Sequence, residues 1–280
     1  MEVEIVAISR QGGRDYNEDV YGHWNDGQHV ACLVADGAGG HGGGDVASGI
    51  ARASVLDGYA RHPTLDTAEM RSLIEKANLD IVTRQADSSA LAHMRTTVVL
   101  AAINIEQQQI SYAHCGDSRA YLFRDKQLLA RTADHSLVQG LVANGMLDDE
   151  GARLHPTRNV LLSALGSIEE PLEVSVSGPL SLQPGDTLLL CSDGLWEPLG
   201  DAMLVETLSA SPSPAVWLEL LEQRVKTHAK PGHDNYTALT LWAHAGDVIT
   251  KMVPVSAAPA ADPAPQHPPP HDGTTPTPTT

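Results

Sequence analysis

The chain has 280 residues, 42% of them hydrophobic, and its formal net charge is −17. This apolar content is enough for a sizeable core, and because only one Phe is present the core must be mainly aliphatic. Proteins that bind nucleic acids or anionic membranes rely on clustered Lys and Arg, and the sequence contains no such cluster. The composition therefore gives no support to either kind of binding.

Two features of the sequence predict a cytoplasmic protein. The first residues, MEVEIVAISRQGG, lack the basic and long apolar regions of a signal peptide, and no run of about 18 apolar residues is available to span a membrane. The three cysteines are an odd number and each lies in an apolar run. This pattern is typical of reduced thiols that pack as small hydrophobic residues.

Apolar runs and helical periodicity predict an α+β fold. In chain order, strands are predicted at 2–9, 29–35, 96–105, 109–115, 118–124, 127–131, 172–178, 186–191 and 236–243. Helices are predicted at 44–61, 67–87, 136–145, 201–210 and 213–229. Short turns such as 106–108 and 115–117 separate several strands, and such close succession predicts antiparallel pairing across the turn. Strands in the middle with helices before and after them are typical of α+β rather than regular βαβ alternation.

The sequence predicts one folded domain, 1–246, and a tail, 247–280. No linker interrupts the first part, whereas the last 30 residues hold nine of the 18 prolines and almost no large apolar residues. Such a segment cannot bury enough surface to offset its ordering entropy, so we expect a disordered tail.

Within the domain, 134–166 is a long excursion between strands. It is typical of a substrate-recognition flap and equally of an ordinary helical insertion.

Short acidic motifs recur at or near the ends of the apolar runs. They are RDYNED at 14–19, Asp36-Gly37, Asp193-Gly194 and Asp234-Asn235. A carboxylate at the end of a buried strand is costly unless a cation lies beside it. The recurrence therefore predicts that these strand ends converge on divalent metal, and oxygen ligands suit Mg²⁺ or Mn²⁺. Arg14, a lone guanidinium beside the acids, is a candidate phosphate ligand.

Other chemistries have weaker signals. GAGGHG at 37–42 matches the G-x-G-x-x-G fingerprint of dinucleotide-dependent oxidoreductases. However, no second strand ending in an acid follows about 20 residues later, because Asp57 falls in a predicted helix. A Cys-x₅-Arg phosphatase loop and a G-x-S-x-G nucleophile elbow are both missing from the sequence. Asp117, in Gly-Asp-Ser, is by itself ordinary turn chemistry.

Seven motifs in a fixed order indicate a family. RDYNED, VADGAGGHGGG, MRTTVVLA, HCGDSRAYLFR, DHSLVQ, LLCSDGLWE and GHDNYTALTL occur between about residues 5 and 243. In these motifs the chain resembles the metal-dependent protein phosphatases of the 2C type, the PPM family, and especially their bacterial branch. The resemblance implies a four-layer α/β/β/α sandwich, in which two antiparallel sheets carry helices on both outer faces.

The resemblance also implies a set of metal ligands. Asp36 matches the carboxylate that bridges two Mn²⁺ or Mg²⁺ ions, and Gly37 matches the residue that offers a carbonyl to one of them. Asp193 and Asp234 match the remaining ligands of the pair. Asp117 matches the position of a third, weaker ion that shares Asp193. In the family, such ions activate water for in-line attack on phosphorus.

Roles outside this ligand set follow from the same motifs. Arg14 matches the phosphate-binding arginine, and Glu18 and Asp19 match positions in the metal shell or just outside it. Ala38 stands where some family members have a histidine that is proposed as general acid. The proton for the leaving alkoxide must then come from water or from His41.

The resemblance implies a protein serine/threonine phosphatase that uses two or three Mn²⁺ or Mg²⁺ ions. Its expected partners are phosphorylated proteins and a protein kinase whose action it reverses, with no nucleic acid or membrane, and the chain is expected to be a monomer. The alternative is a catalytically inactive binding module with the same fold. Intact Asp36, Asp193, Asp234 and Arg14 argue against this alternative, since a binding module does not need all four.

Overall fold

The computed structural model describes residues 1–38, 43–167 and 172–246, and the backbone of 251–252. The longer strands are β1 (Glu2–Arg10), β2 (Val20–Asn25), β3 (His29–Ala35), β6 (Val98–Asn104), β7 (Gln109–Cys115), β8 (Arg119–Arg124), β9 (Gln127–Arg131), β12 (Thr187–Cys191) and β13 (Tyr236–His244). Five two-residue strands are β4 (Gly37–Ala38), β5 (Arg95–Thr96), β10 (Ser175–Val176), β11 (Leu180–Ser181) and β14 (Lys251–Met252). The helices are α1 (Gly44–Arg61), α2 (Thr67–Gln85), α3 (Leu137–Ala143), α4 (Asp149–Arg153), α5 (Asp193–Ala210) and α6 (Pro214–His228), with a 3₁₀ turn at Ser89–Leu91.

The long strands form two sheets, which confirms the predicted fold class. One sheet has the order β14-β1-β13-β12-β8-β9, and the other has the order β10-β7-β6-β3-β2 with β11 also beside β7. Among the strands that the structure describes, every pair is antiparallel except β1–β14. Strands β4 and β5 form a separate small ladder.

The two sheets and the helices on their outer faces form four layers, and alternate side chains of the strands pack into the spaces between these layers. In β12, Leu188 and Leu190 pack between the two sheets, whereas Leu189 and Cys191 pack against α5 and α6. Strand β3 divides its side chains in the same way between the sheet–sheet interior and helices α1 and α2. These strands are therefore buried on both faces, and for this reason their sequences read as continuous apolar runs instead of alternating ones.

One predicted pairing is wrong. The strands on either side of 115–117 do not form a hairpin, because β7 belongs to one sheet and β8 to the other. Gly116 turns the chain between the sheets with φ of 102°, and a Cβ there would lie 2.6 Å from the Thr97 side chain. Both strands are buried on both faces, so their apolar patterns do not show which sheet each one joins. The crossing places Asp117 between the sheets.

Other elements also differ from prediction, and three of these differences concern the sheets and α5. Strand β2 was not predicted, because its sequence VYGHWN mixes polar with apolar residues and the strand is only half-buried at a sheet edge. Of the strand predicted at 172–178 only the short β10 is formed, and β11 follows beyond the predicted range. Helix α5 begins at Asp193, well before the predicted 201, and accommodates Pro198 and a non-helical Gly200 with φ of 68°. These two residues are helix breakers, which hid the first part of the helix.

The predicted tail is described only at Lys251–Met252, which pairs in parallel with Glu4 and Ile5 of β1. The rest of 247–280 lies outside the described residues, so its disorder stays a prediction. In the described part of the chain, no helix combines the length and the apolar character needed to cross a membrane.

The sheet–sheet interior should dominate stability. Leu190 is fully buried there, so Leu190→Ala should lower the free energy of unfolding by about 2–5 kcal/mol through lost burial and a residual cavity. Leu129 on β9 is 52% exposed, and Leu129→Ala should change the free energy by less than about 0.5 kcal/mol. Urea denaturation monitored by circular dichroism measures both. Similar losses in the two variants would contradict this assignment of the core.

Candidate active site

The predicted metal ligands meet at one end of the sandwich. They follow β3, β7 and β12 or precede β2 and β13, and in antiparallel sheets these strand ends lie on the same side. A cleft of about 400 Å³ opens there, lined by Arg14, Asp15, Tyr16, Glu18, Asp36, Gly37, Ala38, Thr97, Asp117, Asn159, Leu161, Asp193 and Asp234. Every predicted site residue except Asp19 and the undescribed His41 therefore borders one cavity.

The backbone around Asp36 is held by the two threonines of the MRTT motif. The Asp36 carbonyl accepts hydrogen bonds from Thr97 N and Thr96 Oγ1, both at 2.8 Å, and the Asp36 amide lies 3.3 Å from Thr97 Oγ1. Gly37 follows against the start of α1, where a Cβ would lie 2.2 Å from the Gly44 carbonyl oxygen. Only glycine fits at this position, which borders the cleft.

Asp193 and Asp19 have carboxylate oxygens without partners. Burial raises the pKa of Asp36, and Asp193 is one of the neighbouring carboxylates whose charge raises that pKa further. Asp19 is 5% exposed, lies behind the cleft, and accepts a hydrogen bond from Ser192 Oγ at 2.6 Å. The Oδ1 atoms of Asp19 and Asp193 are buried and have no hydrogen-bond partner among the described residues. Buried acceptors of this kind are uncommon in native proteins unless an ion or water satisfies them.

Asp117 is positioned by a tryptophan to which the sequence analysis gave no role. Trp196 lies one helical turn after Asp193 on α5, and its indole N–H donates to the Asp117 carbonyl at 3.0 Å. The Arg119 guanidinium lies 3.5 Å from the centroid of the same ring and makes a bidentate pair with Asp134. This buried contact ties the inter-sheet turn to the helix that carries Asp193. The SDGLWE motif contained the signal, because Trp196 is three residues from Asp193 and so lies on a nearby helix face.

Asn235 anchors the N-terminal loop to the start of β13. Its Nδ2 donates to the carbonyl oxygens of Gln11 at 2.7 Å and Tyr16 at 2.9 Å, and its Oδ1 accepts from the Glu18 amide at 2.9 Å. The amide side chain is buried. The loop that carries the RDYNED motif is therefore held beside the ligand that precedes Asn235.

Arg14 lies at the rim of the cleft. Its Nη2 is 2.6 Å from Asp234 Oδ2, and the two side chains are 55% and 41% exposed. An exposed ion pair of this kind contributes little to stability. Arg14 is therefore close to the carboxylates while much of its guanidinium stays accessible from solvent.

Lost hydration and mutual repulsion shape the electrostatics of the cleft. Burial, together with the charges of neighbouring carboxylates, raises the pKa of Asp19 to about 7 and that of Asp193 to about 6. The same causes raise the pKa of Asp36 and that of Asp117 well above the usual range of an aspartate. A divalent cation would relieve both effects.

The candidate ligands fit a hard divalent cation, because they are carboxylates and the Gly37 carbonyl. The Oδ1 atoms of Asp19 and Asp193 are unsatisfied. Within 1–38, 43–167 and 172–246, no three acidic, histidine or cysteine side chains surround a single point as a closed ion site. Mg²⁺ commonly binds through only one or two carboxylates and keeps several waters. An open arrangement is therefore compatible with this class of ion.

The comparison with known proteins decides the family. Residues 9–235 match the family model described as Protein phosphatase 2C. The chain belongs to this family. The serine/threonine phosphatase stp of Listeria monocytogenes is 36% identical over 232 residues, which cover 81% of this chain and 90% of that protein.

Solved structures agree with this assignment. The serine/threonine phosphatase of S. agalactiae is similar with a TM-score of 0.74 and 28% identity, and the match covers 86% of this chain and all of that one. The catalytic domain of the phosphatase PstP, in complex with two manganese ions, matches with a TM-score of 0.69 and 30% identity over 85% of this chain and 97% of that one. This member of the family is a metal-dependent serine/threonine protein phosphatase.

These findings exclude the dinucleotide-binding alternative. A Rossmann unit needs a parallel sheet, whereas the strand that precedes the glycine-rich segment is antiparallel to both of its neighbours. Ala38 lines the cleft and has no proton to donate. His41 lies outside the described residues.

The raised pKa values predict the pH dependence of stability without metal. Because the pKa of Asp193 is about 6 when folded against 3.8 ordinarily, the folded protein binds a proton that the unfolded chain has lost. The free energy of unfolding in EDTA should therefore fall as pH rises between about 4 and 6, by on the order of 3 kcal/mol for this residue.

Asp193→Asn should reduce this pH slope, because the amide does not titrate. Asp57→Asn, on the exposed surface of α1, is the matched control and should leave the slope unchanged. Urea denaturation at a series of pH values measures the slope. Equal slopes in the wild type and Asp193→Asn would contradict the raised pKa.

Proposed function

We propose that this phosphatase hydrolyses phosphoserine and phosphothreonine in proteins with two Mn²⁺ or Mg²⁺ ions in the cleft and a third held more weakly. The observation that carries the proposal is the convergence of Asp36, Asp117, Asp193 and Asp234 in one cleft beside the accessible Arg14. Carboxylate oxygens are unsatisfied on Asp193 and on Asp19 behind the cleft. The PstP structure with two manganese ions supports the number for the core pair.

The proposed ligands have different roles in holding the ions. Asp36, with the Gly37 carbonyl, would bridge and hold the core pair, and Asp193 and Asp234 would complete it. Asp117 would share Asp193 in holding the weaker ion. When bound, the ions lower the pKa of water and withdraw charge from the phosphoryl oxygens.

Arg14 would bind the phosphoryl group. A guanidinium presents two parallel donors that match two phosphate oxygens, and its accessible position at the rim leaves room for such a ligand. Asn235 would keep this group in place, because it holds the loop on which Arg14 lies. The arginine would thereby orient the ester and neutralise charge that develops on the equatorial oxygens.

The leaving group needs a proton from elsewhere. A serine or threonine alkoxide is a poor leaving group, and Ala38 supplies no acid at the position that some relatives fill with histidine. We propose that water or His41 provides this proton. A nitrophenolate leaving group needs none, so the requirement applies to protein substrates.

The segment 134–166 would contact protein substrates. Asn159 and Leu161 line the cleft, and Met146 and Leu154 are 69% and 64% exposed. Apolar side chains at the surface next to an active site mark a binding surface. We propose phosphorylated proteins as substrates and a Ser/Thr protein kinase as the opposing enzyme. The cytoplasmic location and the monomeric state stay predictions.

Metal dependence should follow the ligand assignment. Hydrolysis of p-nitrophenyl phosphate should vanish in EDTA and return with Mn²⁺. Asp36→Asn should lower kcat by at least about 100-fold and weaken Mn²⁺ binding in calorimetry, whereas Asp117→Asn should cost about tenfold and remove only a weak site. Asp57→Asn is the control for a lost surface charge. Full activity in chelator, or an equal loss in Asp36→Asn and Asp117→Asn, would contradict the assignment.

Arg14 should act on the substrate and not on the metals. Arg14→Ala should raise KM, lower kcat, and reduce kcat/KM by about 100-fold. Its Mn²⁺ affinity should not fall, because the Asp234 carboxylate is released from an ion pair. Arg14→Lys should recover little activity, since an ammonium does not reproduce the two-pronged contact. Unchanged kinetics in Arg14→Ala would remove this residue from the site.

A further inference from the structure

A second cavity, of about 370 Å³, adjoins the catalytic cleft and shares Arg14, Asn159 and Asp234 with it. We call this cavity the basic groove. The residues that give it its character are Arg153 and Arg158 from the segment 134–166, Glu197 from α5, and His228, Lys230 and His233 from the end of α6 and the loop that follows. The groove therefore begins at Arg14, the candidate phosphate ligand, and runs between the segment 134–166 and the loop that follows α6.

The charge of the basic groove is opposite to that of the whole chain, which has 35 acidic and 18 basic residues. The two acids that line the groove are already paired, Asp234 with Arg14 at 2.6 Å and Glu197 with Arg158 at 2.5 Å. Lys230 is exposed and makes no ion pair within the described part of the chain. Arg153 is paired with Glu150, so the positive charge of the groove that the described residues do not neutralise is that of Lys230.

Two buried polar atoms of the groove also lack partners. His233 Nδ1 contacts the Lys230 carbonyl at 3.2 Å, but its Nε2 has no hydrogen-bond partner among the described residues. The same is true of Arg158 Nε, on the opposite wall. Such atoms are rare in native structures unless a ligand or water satisfies them. Arg158 Nε–H is a donor, and together with the unpaired Lys230 it favours an anionic group from outside in the groove. His233 Nε2 is the acceptor nitrogen of a neutral ring whose Nδ1–H donates to the Lys230 carbonyl, so it fits a donor of the same external segment.

We propose that the basic groove binds an anionic side chain of the protein substrate, a carboxylate or a second phosphate, a few residues from the phosphoserine or phosphothreonine. This inference rests on the proposed function, because the groove opens at Arg14, the residue proposed to hold the scissile phosphate. An extended chain spans roughly 3.3–3.6 Å per residue, so only a near neighbour in sequence reaches this adjoining cavity. The substrate class is therefore acidic phosphopeptide segments.

The overall negative charge of the enzyme should strengthen the selectivity for peptides whose anionic residue lies in the basic groove. A surface with a net charge of −17 repels acidic proteins except where a basic patch receives them. The groove is open to solvent, so each contact should have a modest effect that salt screens. We therefore expect a selectivity effect and not an absolute requirement.

Matched phosphothreonine peptides test the proposal. One series has alanine at the flanking positions, a second has glutamate there, and a third has one phosphoserine there. With Mn²⁺, wild-type kcat/KM should be about three- to tenfold higher for the anionic peptides, and added NaCl should reduce the difference. The relative rates of the second and third series distinguish a carboxylate from a second phosphate as the preferred anion.

Variants assign the preference to the groove. Lys230→Glu should abolish it, and Lys230→Ala should reduce it about threefold, while p-nitrophenyl phosphate and the neutral peptide change less than twofold. Arg71→Glu makes the same charge change on the exposed surface of α2 and should leave the preference intact. Equal wild-type rates on all peptides, or a preference that survives Lys230→Glu, would overturn the proposal. Absence of Mn²⁺-dependent turnover of p-nitrophenyl phosphate would instead contradict the proposed function.

Discussion

Asp36, Asp117 and Asp193 line the same cleft, and Asp19 is buried behind them. Without a cation, this group costs folding free energy, because lost hydration and like charges both oppose ionisation. The remainder of the fold must offset that cost. It does so with apolar side chains between the sheets and under both helical layers. The site therefore lowers the folding stability of the metal-free protein. A cation that binds the folded state would raise this stability again.

The cleft depends on both sheets at once. Asp36 follows a strand of one sheet and Asp193 follows a strand of the other, while the turn at Asp117 crosses between them. Trp196 fastens this turn to the helix that begins with Asp193. Small shifts of one sheet against the other would therefore change the spacing of the carboxylates. The densely packed interior between the sheets resists such shifts.

The residue types of the metal site were easier to predict from the sequence than the tertiary contacts that position them. Acidic residues at the ends of apolar runs indicated a metal site, because burial of an unpaired carboxylate needs an explanation. The same reasoning could not show that Asp19 lies behind the cleft, since its distance from the others depends on tertiary packing. It also missed Trp196, whose contact with the Asp117 carbonyl joins elements distant in sequence. Strands that are apolar on both faces do not reveal which sheet they join, so the turn after β7 was mistaken for a hairpin.

The loop that carries Arg14 is bound to residues near the other end of the domain. Arg14 meets Asp234 across 220 positions, and β1 pairs along its length with β13. Contacts between such distant residues form late in folding, because the chain must close a long loop before they are made. The nascent polypeptide consequently has no complete cleft until strand β13 has emerged from the ribosome. A truncated translation product that ends before Asp234 would lack both the Arg14–Asp234 contact and one member of the proposed ligand set.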